Sequence, residues 1–310
     1  MLQDFEQTKS LVILKGTGDK VFCSGGDVKE FIKGPLKKTK NVIQNTLRSF
    51  DLITNFKKPY IVVMDGVTMG SSSALSIAGR YRIATERTVF SMPETEIGCF
   101  NGTGSSYFLP RIRLNIGMYI GLSGASLKAY DLKKVGLATH YVESKRLDEL
   151  DKALFKCKSD DEIGKAISKH SSVPTTMQTE LDAITPNIDK CFDGDTVEEI
   201  FENLHFDGSD WAMETIRAMN KLSPTALKVS HRSFTLGKKM SLHECLKMEY
   251  RVACHHFTKS DLKEGVRAML IDKDFKPKWK PKKISEVKDD HVDRFFKPLP
   301  DEDELTFEKH

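Results

Sequence analysis

Residues 62–110 read VVMDGVTMGSSSALSIAGRYRIATERTVFSMPETEIGCFNGTGSSYFLP and contain two apolar segments, each followed by a turn rich in glycine or serine. The segments predict strands at Ile61–Met64 and Val89–Met92, and Glu94 stands just past the second one. A turn that begins a helix presents free backbone amides with partial positive charge, so it can hold an anion or a developing oxyanion. A carboxylate beside such a turn is typical of acyl chemistry.

A second glycine turn lies upstream of this stretch. Leu11–Leu14 is predicted as a buried strand, and Gly25 and Gly26 precede Asp27 and a first helical turn at Val28–Ile32. Two adjacent glycines allow positive φ and a close approach of the backbone to a ligand. A surface loop in which Asp27 caps the helix explains the same residues equally well.

The turn at Gly70–Ser73 has a functional and an ordinary interpretation. In the functional one, the amides of Ser71 and Gly26 form an oxyanion hole, where each donor contributes about 3 to 4 kcal/mol. In the ordinary one, this is a strand-to-helix connection. The three serines also allow a nucleophile hypothesis, although GxSxG is absent. Gly102–Gly104 is a weak dinucleotide signal, because Tyr107 replaces the third glycine.

Glu94 has the position expected of a catalytic group. It follows the carboxyl end of a strand, where open α/β sheets place their ligands. A single glutamate there is either a solvated residue, a helix cap or a general base. A positioned general base accelerates a reaction roughly 10²- to 10⁴-fold.

Composition excludes several classes of protein. A length of 310 residues is enough for one large domain or two small ones. The residues are 39% hydrophobic and 30% charged, as in an ordinary globular protein. The net charge of +4 is too balanced to indicate a nucleic-acid partner. We find no apolar run near 18 residues and no signal or transit peptide. We therefore expect no membrane partner. The six cysteines form no CxxC pair and are expected to be reduced. We expect no metal, because His255–His256 beside Cys254 lack a second ligand pair.

The remaining chain is mostly helical in pattern. Apolar residues recur at helical spacing from Val42 to Ile53, and Ile112–Ile120 predicts a helix with Gly121 beyond its end. Capping signatures are found at four places: Asp195–Glu198, Ser223–Pro224, Ser241–Glu244 and Asp261–Glu264. The polar stretch Lys156–Pro186 is expected to be a hinge or surface excursion. We therefore expect an α/β core in residues 1–150 and a helical region in residues 151–310.

The chain resembles the crotonase, or enoyl-CoA hydratase/isomerase, superfamily in motifs spread over nearly its whole length. The motifs include FCSGGD (Phe22–Asp27), DGVTMG (Asp65–Gly70), FSMPETEIG (Phe90–Gly98), YFLPR (Tyr107–Arg111), MEYR (Met248–Arg251), EGVRAMLIDKD (Glu264–Asp274) and PKWKP (Pro277–Pro281). The C-terminal motifs are similar to the branch of the family that hydrolyses 3-hydroxyisobutyryl-CoA in valine catabolism.

The resemblance implies an α/β fold, a crotonase-like spiral of ββα units with a helical C-terminal region. It implies an acyl-CoA thioester substrate that contains the CoA, no other cofactor, a possible homo-oligomer and a mitochondrial location. The implied catalytic residues are Glu94, Gly26 and Ser71. The implied substrate-binding residues are Thr46, Gly70, Asn101 and Gly102. The lysines of Lys276–Lys280 suit CoA phosphates, although a solvated basic face fits them equally well.

Several positions depart from the pattern of the hydrolase branch. That pattern after the glutamate is LFPDVGGGYF, whereas this chain has CFNGTGSSYF, so Gly102 replaces an aspartate and Asn101 a proline. Ser71 replaces a glycine of the oxyanion turn, and Thr46 a substrate-contacting glutamate. Ala74 stands in place of the second glutamate of the hydratases, which disfavours hydration of an enoyl-CoA.

These departures leave two alternatives open. Because Gly102 has no side chain that accepts a proton, the chain could be an acyl-CoA-binding protein with reduced or no catalysis. An isomerase or hydratase that uses Glu94 alone is the third interpretation. The first strand and helix of the family, with an LNRP-like segment that contributes to CoA binding, are expected to precede Met1.

Overall fold

The computed structural model describes residues 2–172, 179–257 and 260–307 of the chain. The strands are β1 (Val12–Lys15), β2 (Val21–Cys23), β3 (Tyr60–Met64), β4 (Val67–Met69), β5 (Tyr81–Ala84), β6 (Val89–Ser91), β7 (Leu127–Lys128) and β8 (His140–Tyr141). The helices are α1 (Leu2–Thr8), α2 (Val28–Lys33), α3 (Leu36–Thr54), α4 (Ser71–Ile77), α5 (Ser105–Phe108), α6 (Ile116–Ser123), α7 (Ala129–Lys134), α8 (Leu147–Leu154), α9 (Asp160–His170), α10 (Glu180–Cys191), α11 (Val197–Asp207), α12 (Asp210–Met219), α13 (Pro224–Gly237), α14 (Leu242–His256), α15 (Ser260–Val266) and α16 (Asp289–Asp293).

The strands form two four-stranded sheets. One sheet has the order β1-β3-β5-β8 and is wholly parallel, and the other has the order β2-β4-β6-β7 with only β6 and β7 antiparallel. From β1 to β6, consecutive strands alternate between the two sheets, and each pair of strands leads into a helical segment. This repeat is the ββα arrangement that the resemblance to the crotonase superfamily implies.

The chain forms two compact units, and each is built from three segments. The first comprises Met1–Gly25, Phe50–Ser91 and Ser126–Leu181, and the second comprises Gly26–Ser49, Met92–Ala125 and Asp182–His310. The first unit contains both sheets, whereas the second consists of helices and the turns between them. The domain boundary expected near residue 150 stays a prediction.

The core of the first unit lies against strand β3. All five residues of β3 are buried, as is usual for a central parallel strand between two neighbours. Its residues Ile61 and Val63 belong to a cluster with residues of α8 and α9, among them Ile163 and Ile167. These contacts pack the sheet of order β1-β3-β5-β8 against α8 and α9.

Helix α9 corrects the expectation that Lys156–Pro186 is a hinge or surface excursion. The Ser159 hydroxyl caps this helix by accepting a hydrogen bond from the amide of Glu162. Only two residues of α9 have fully buried apolar side chains, so apolar residues at helical spacing are a weak signal in this part of the sequence. Pro186 lies inside α10. Residues 173–178 of the stretch lie outside the described residues.

Two smaller expectations about helix ends are also wrong. Gly121 lies inside α6, which instead ends at Gly124, whose φ is +70°. Asp261 lies within α15 and does not form a capping box, because its carboxylate accepts hydrogen bonds from the Ser223 hydroxyl at 2.7 Å and the Lys280 amide at 3.1 Å. The signatures at Ser223 and Ser241 are confirmed. The one expected at Asp195–Glu198 is displaced by one residue, because Thr196 caps α11 and accepts from the Glu199 amide.

The described residues contain no helix long and apolar enough to cross a membrane.

Candidate active site

Glu94 opens a short 3-10 helix, Glu94–Ile97, three residues after the last residue of β6. The turn closes at Gly98, which has φ +70° and whose amide donates to the Thr95 carbonyl. The Cys99 amide donates to the Glu94 carbonyl at 3.0 Å. Burial raises the pKa of the Glu94 carboxyl to about 7, against the lowering effect of hydrogen bonds from its own backbone and from Asn101. A carboxyl with this pKa can exchange a proton near neutral pH.

Asn101 holds the Glu94 carboxylate. Its Nδ2 donates to Glu94 Oε2 at 2.9 Å and to the Met92 carbonyl at 3.0 Å, so both contacts require the amide nitrogen. The backbone amide of Asn101 donates to the Ser230 hydroxyl on α13 at 3.2 Å. Asn101 is fully buried, and its Oδ1 has no hydrogen-bond partner among the described residues. The residue therefore orients Glu94 and retains one buried acceptor for a ligand.

Gly102 follows Asn101 and contributes only its backbone. Its carbonyl accepts a hydrogen bond from the Ser105 amide at 3.3 Å. A Cβ added at this position would lie 3.2 Å from Cζ of Phe100, which is a tight contact. The Phe100 ring is itself stacked on His256 at 5.3 Å between ring centroids. A side chain larger than hydrogen at 102 would therefore press on a packed aromatic pair.

The serine-rich turn presents a free amide at the start of α4. Ser71 is the first residue of the helix, and the described residues provide no acceptor for its amide. Gly70 has φ +64° and ψ −139°, and its own amide donates to the Ser91 carbonyl at 3.2 Å. Of these two residues, Ser71 is therefore the one with an amide available for a ligand. This arrangement can stabilise an oxyanion.

The upstream glycine turn approaches the same amide. Gly25 has φ +97°, and a Cβ there would lie 3.3 Å from the Met69 carbonyl oxygen and 3.6 Å from the Ser71 nitrogen. The Ser72 hydroxyl lies 2.7 Å from the carbonyl oxygens of both Cys23 and Met69, so it joins the two turns. Close approach and positive φ both require glycine at residue 25.

Gly26 comes next in the chain after this close approach. Its carbonyl accepts from the Val28 amide at 2.9 Å, and its own amide has no acceptor among the described residues. Asp27 caps α2 by accepting from the Glu30 amide at 3.3 Å, as expected of the ordinary loop interpretation. Capping by Asp27 and a free Gly26 amide are compatible, because they use different groups.

Two of the three serines are engaged in backbone contacts. The Ser73 hydroxyl lies 2.7 Å from the Thr68 carbonyl and 3.0 Å from the Ser91 carbonyl, and Ser72 makes the contacts described above. Neither hydroxyl is placed for attack on a substrate. Thr46 lies in the middle of α3, and its hydroxyl donates to the Val42 carbonyl at 2.9 Å within the same helix.

Comparison with known proteins identifies the family. Residues 2–296 match the sequence profile described as Enoyl-CoA hydratase/isomerase. The chain belongs to the enoyl-CoA hydratase/isomerase family. Two solved structures extend the match to the fold. A carnitinyl-CoA dehydratase from Mycobacterium thermoresistibile covers 100% of this chain and 89% of its own at 32% identity, with a TM-score of 0.91. An enoyl-CoA hydratase from Rhodobacter sphaeroides covers 99% of this chain and 89% of its own at 29% identity, with a TM-score of 0.87. The predicted crotonase-like fold is confirmed.

Curated relatives within the enoyl-CoA hydratase/isomerase family are similar over most of the chain. The mitochondrial 3-hydroxyisobutyryl-CoA hydrolase of Gallus gallus is 43% identical over 94% of this chain and 78% of its own length. The proteins of the same name from Xenopus laevis and Homo sapiens are 41% and 39% identical over the same shares.

Glu249 is a further candidate residue of the active site, and it was not identified from the sequence. It lies on α14, is 1% exposed, and accepts hydrogen bonds from the Gly104 amide at 2.6 Å and from Ser106. The Ser106 contacts are 2.9 Å from the amide and 2.6 Å from the hydroxyl. Burial raises its pKa to about 7 despite these donors, and its charge in turn raises the pKa of Glu94. The signal in the sequence is the MEYR motif, in which one acidic residue stands between apolar neighbours.

A basic cleft of about 1090 Å³ lies in the second unit of this family member. Its lining includes Glu96 and the four lysines Lys221, Lys278, Lys280 and Lys282. Trp279 also lines it, and the indole Nε1 donates to the Lys221 carbonyl at 2.9 Å. Part of the predicted Lys276–Lys280 cluster therefore faces a cleft. No group of three or more histidine, cysteine or acidic residues that could hold a metal occurs in the described parts of the chain.

Proposed function

We propose that this protein hydrolyses 3-hydroxyisobutyryl-CoA to 3-hydroxyisobutyrate and CoA, with Glu94 as the catalytic carboxylate. The observation that carries the proposal is the partly buried Glu94 carboxylate, held by Asn101 at 2.9 Å and with a pKa of about 7. The acyl group is taken from the names of the relatives that are about 40% identical over most of the chain.

The reaction needs Glu94 in its ionised form. In the net reaction, a water oxygen becomes bonded to the carbonyl carbon, the C–S bond breaks, and CoA leaves as the thiol. Glu94 acts either by attacking the thioester carbonyl or by accepting the proton of the attacking water, and a protonated carboxyl can do neither. The pKa of about 7 leaves a large ionised fraction at neutral pH.

The amides of Ser71 and Gly26 are the proposed donors to the oxyanion of the tetrahedral intermediate. Both amides lack an acceptor within the described residues, and Gly70 and Gly25 adopt positive φ beside them. Because only the backbone of Ser71 is used, the serine side chain does not remove the donor. Each such donor contributes about 3 to 4 kcal/mol to stabilising the transition state.

Asn101 and Gly102 are the proposed substrate contacts near Glu94. The unpartnered Oδ1 of Asn101 is a buried acceptor, which suits the 3-hydroxyl of the substrate. Replacement of Asn101 by alanine is then expected to reduce the preference, as a ratio of kcat/KM values, for the 3-hydroxyisobutyryl thioester over the isobutyryl thioester. An unchanged ratio would exclude this contact.

The decisive experiment follows thiol release from 3-hydroxyisobutyryl-CoA by the wild-type protein and by Glu94→Gln. The glutamine keeps the shape of the side chain but cannot act as a base, so we expect a loss of roughly 10²- to 10⁴-fold with acyl-CoA binding retained. The matched control is Glu86→Gln, because Glu86 also accepts hydrogen bonds, from Ser144, but lies outside the proposed site.

Three results would contradict the proposal. Equal rates in wild type and Glu94→Gln would exclude Glu94 as the catalytic carboxylate. Binding of acyl-CoA without thiol release by the wild type would indicate a non-catalytic protein. Hydration or isomerisation of an enoyl-CoA in place of thiol release would indicate another reaction of the family.

The basic cleft is the proposed site of the CoA phosphates. Four lysines around one cleft favour a polyanionic ligand, and Trp279 offers an aromatic surface. We expect Lys278→Ala with Lys280→Ala to raise KM for the CoA thioester while KM for the pantetheine thioester, which lacks the nucleotide, stays unchanged. Lys276→Ala is the control, since this lysine is not part of the lining. Equal effects on both thioesters would refute the assignment.

We also propose a mitochondrial location and assembly as a homo-oligomer. The location is supported by the names of the relatives. It is tested by imaging the tagged product of the full gene, and assembly is tested by light scattering of the purified protein.

A further inference from the structure

The loop that carries Asn101 comprises residues 98–104, and helix α14 contacts this segment near both of its ends. Near the start of the loop, Phe100 is stacked on His256 with 5.3 Å between ring centroids. At its end, the Gly104 and Ser106 amides and the Ser106 hydroxyl donate to the Glu249 carboxylate at 2.6 to 2.9 Å. Asn101 lies between these two attachments.

The end of the loop adopts a conformation that needs such an attachment. Thr103 has φ +60° and Gly104 has φ +87°, so two successive residues are left-handed and one of them has a Cβ. This conformation is costly for a residue other than glycine, asparagine or aspartate. A carboxylate that accepts two backbone amides and a hydroxyl can stabilise it, because hydrogen bonds to a charged acceptor are stronger than neutral ones.

We propose that Glu249 is a positioning residue for the thioester chemistry: it fixes the loop that places Asn101 on Glu94, and it puts its own buried carboxylate within electrostatic range of Glu94. This inference rests on the function proposed above for Glu94. Glu249 touches no reacting atom in it. Its role is exerted through the loop and through its charge.

Among the described residues, Glu249 is the one charged group that shifts the pKa of Glu94. The charges of Glu94 and Glu249 help burial to raise the pKa values of two thiols, Cys99 to about 12 and Cys245 to about 11, so both stay neutral near pH 7. Arg111 acts on Cys245, and Asn101 and Ser106 are neutral hydrogen-bond donors. Removing the charge of Glu249 therefore has one main electrostatic consequence, a lower pKa of Glu94.

The test compares the pH dependence of kcat for thiol release in the wild type and in Glu249→Gln. We expect kcat to fall because the loop loosens, and the acidic limb of the profile to move to lower pH by on the order of one unit, as loss of a nearby like charge implies. Asp261→Asn is the matched control. It also removes a buried carboxylate that accepts a hydroxyl and a backbone amide, but Asp261 does not perturb Glu94. It is expected to lower stability without moving the limb.

Two further variants separate charge from geometry and remain informative if Glu249→Gln folds poorly. Glu249→Asp keeps the charge with a shorter reach, so kcat should fall while the limb stays within a few tenths of a unit. Ser106→Ala keeps the carboxylate but removes a donor that stabilises its charged form. The alanine variant should therefore move the limb slightly to lower pH. A limb that stays fixed in all variants, with kcat falling only in proportion to stability, would overturn the proposal.

A second measurement distinguishes failure of this inference from failure of the proposed function. Titration of ¹³C-labelled glutamate carboxyls by NMR reports the pKa of Glu94 without turnover, with Glu94→Gln used for assignment. If the wild type releases no thiol but the Glu94 titration moves to lower pH in Glu249→Gln, the coupling stands and the function fails. If thiol release depends on Glu94 and its titration is unaffected by Glu249→Gln, the coupling fails and the function stands.

Discussion

Replacement of Asn101 by alanine tests how Glu94 is held. The substitution removes the hydrogen bonds from Nδ2 to Glu94 Oε2 at 2.9 Å and to the Met92 carbonyl at 3.0 Å. The first of these stabilises the charged form of Glu94 and lowers its pKa, so its loss must raise the pKa. The direction of the change follows from the geometry alone.

The size of the change follows from the strength of the bond. A hydrogen bond to a charged group contributes about 1.5 to 3 kcal/mol, and one pKa unit corresponds to about 1.4 kcal/mol. The pKa of Glu94 should rise from about 7 by roughly one to two units. At pH 7 the ionised fraction then falls from about one half to between roughly a tenth and a hundredth, which predicts kcat about 5- to 50-fold lower.

The assay is the pH profile of kcat for thiol release between pH 5 and pH 9.5. The acidic limb should move to higher pH in Asn101→Ala, and the rates of the two proteins should approach each other at the alkaline end. Asn187→Ala is the matched control, because Asn187 Nδ2 donates to another carboxylate, Asp207, at 2.6 Å. A uniform loss of rate at every pH in Asn101→Ala would refute the argument, since it would mean that Asn101 does not act on the ionisation of Glu94.

Three other predictions concern stability and the turns. Burial raises the pKa of Glu94 and of Glu249 to about 7, so their contribution to folding is fully present below about pH 4.5 and is lost as the pH rises through 7. The urea midpoint should therefore fall from pH 5 to pH 8, and it should fall less in the double glutamine variant; equal slopes would contradict these pKa values. Gly70→Ala should cost about 1 to 3 kcal/mol in urea unfolding, because φ +64° is strained for alanine, and should lower kcat without moving the pH profile. Gly102→Asp should cost about 1 to 3 kcal/mol through the 3.2 Å contact with Phe100, while thiol release persists; a variant as stable as wild type would show that the Phe100 ring yields freely.

The features that could be predicted are those that depend on residues close together in the sequence. The strands expected at Ile61–Met64 and Val89–Met92 match β3 and β6 to within one residue at each end. The caps at Ser223 and Ser241 are confirmed, and the one expected at Asp195 lies one residue later at Thr196, because a cap and the amide that it binds are only three residues apart. Such signals are local, so they can be read without the fold.

Features that depend on distant parts of the chain were missed. The Glu249 carboxylate accepts a hydrogen bond from the Gly104 amide, which lies 145 residues earlier, and nothing near Glu249 in the sequence indicates that donor. Asp261 has the spacing of a capping box with Glu264, yet its carboxylate binds the Ser223 hydroxyl and the Lys280 amide. In both cases a buried carboxylate binds donors that tertiary packing brings to it, and this outweighs the local pattern.

The residues at 101 and 102 are better understood as one arrangement than as two separate departures from the hydrolase pattern. A proline at 101 has no side-chain amide, whereas Asn101 supplies the donor that fixes Glu94 Oε2. A side chain at 102 would lie against Phe100, whose stacking on His256 places it at the start of the loop that Glu249 holds at the other end. Orientation of Glu94 therefore depends on a neutral donor inside the loop, and the stability of that loop depends on α14. Loss of the aspartate at 102 need not remove the means of orienting the carboxylate, because a different side chain of the same loop provides it.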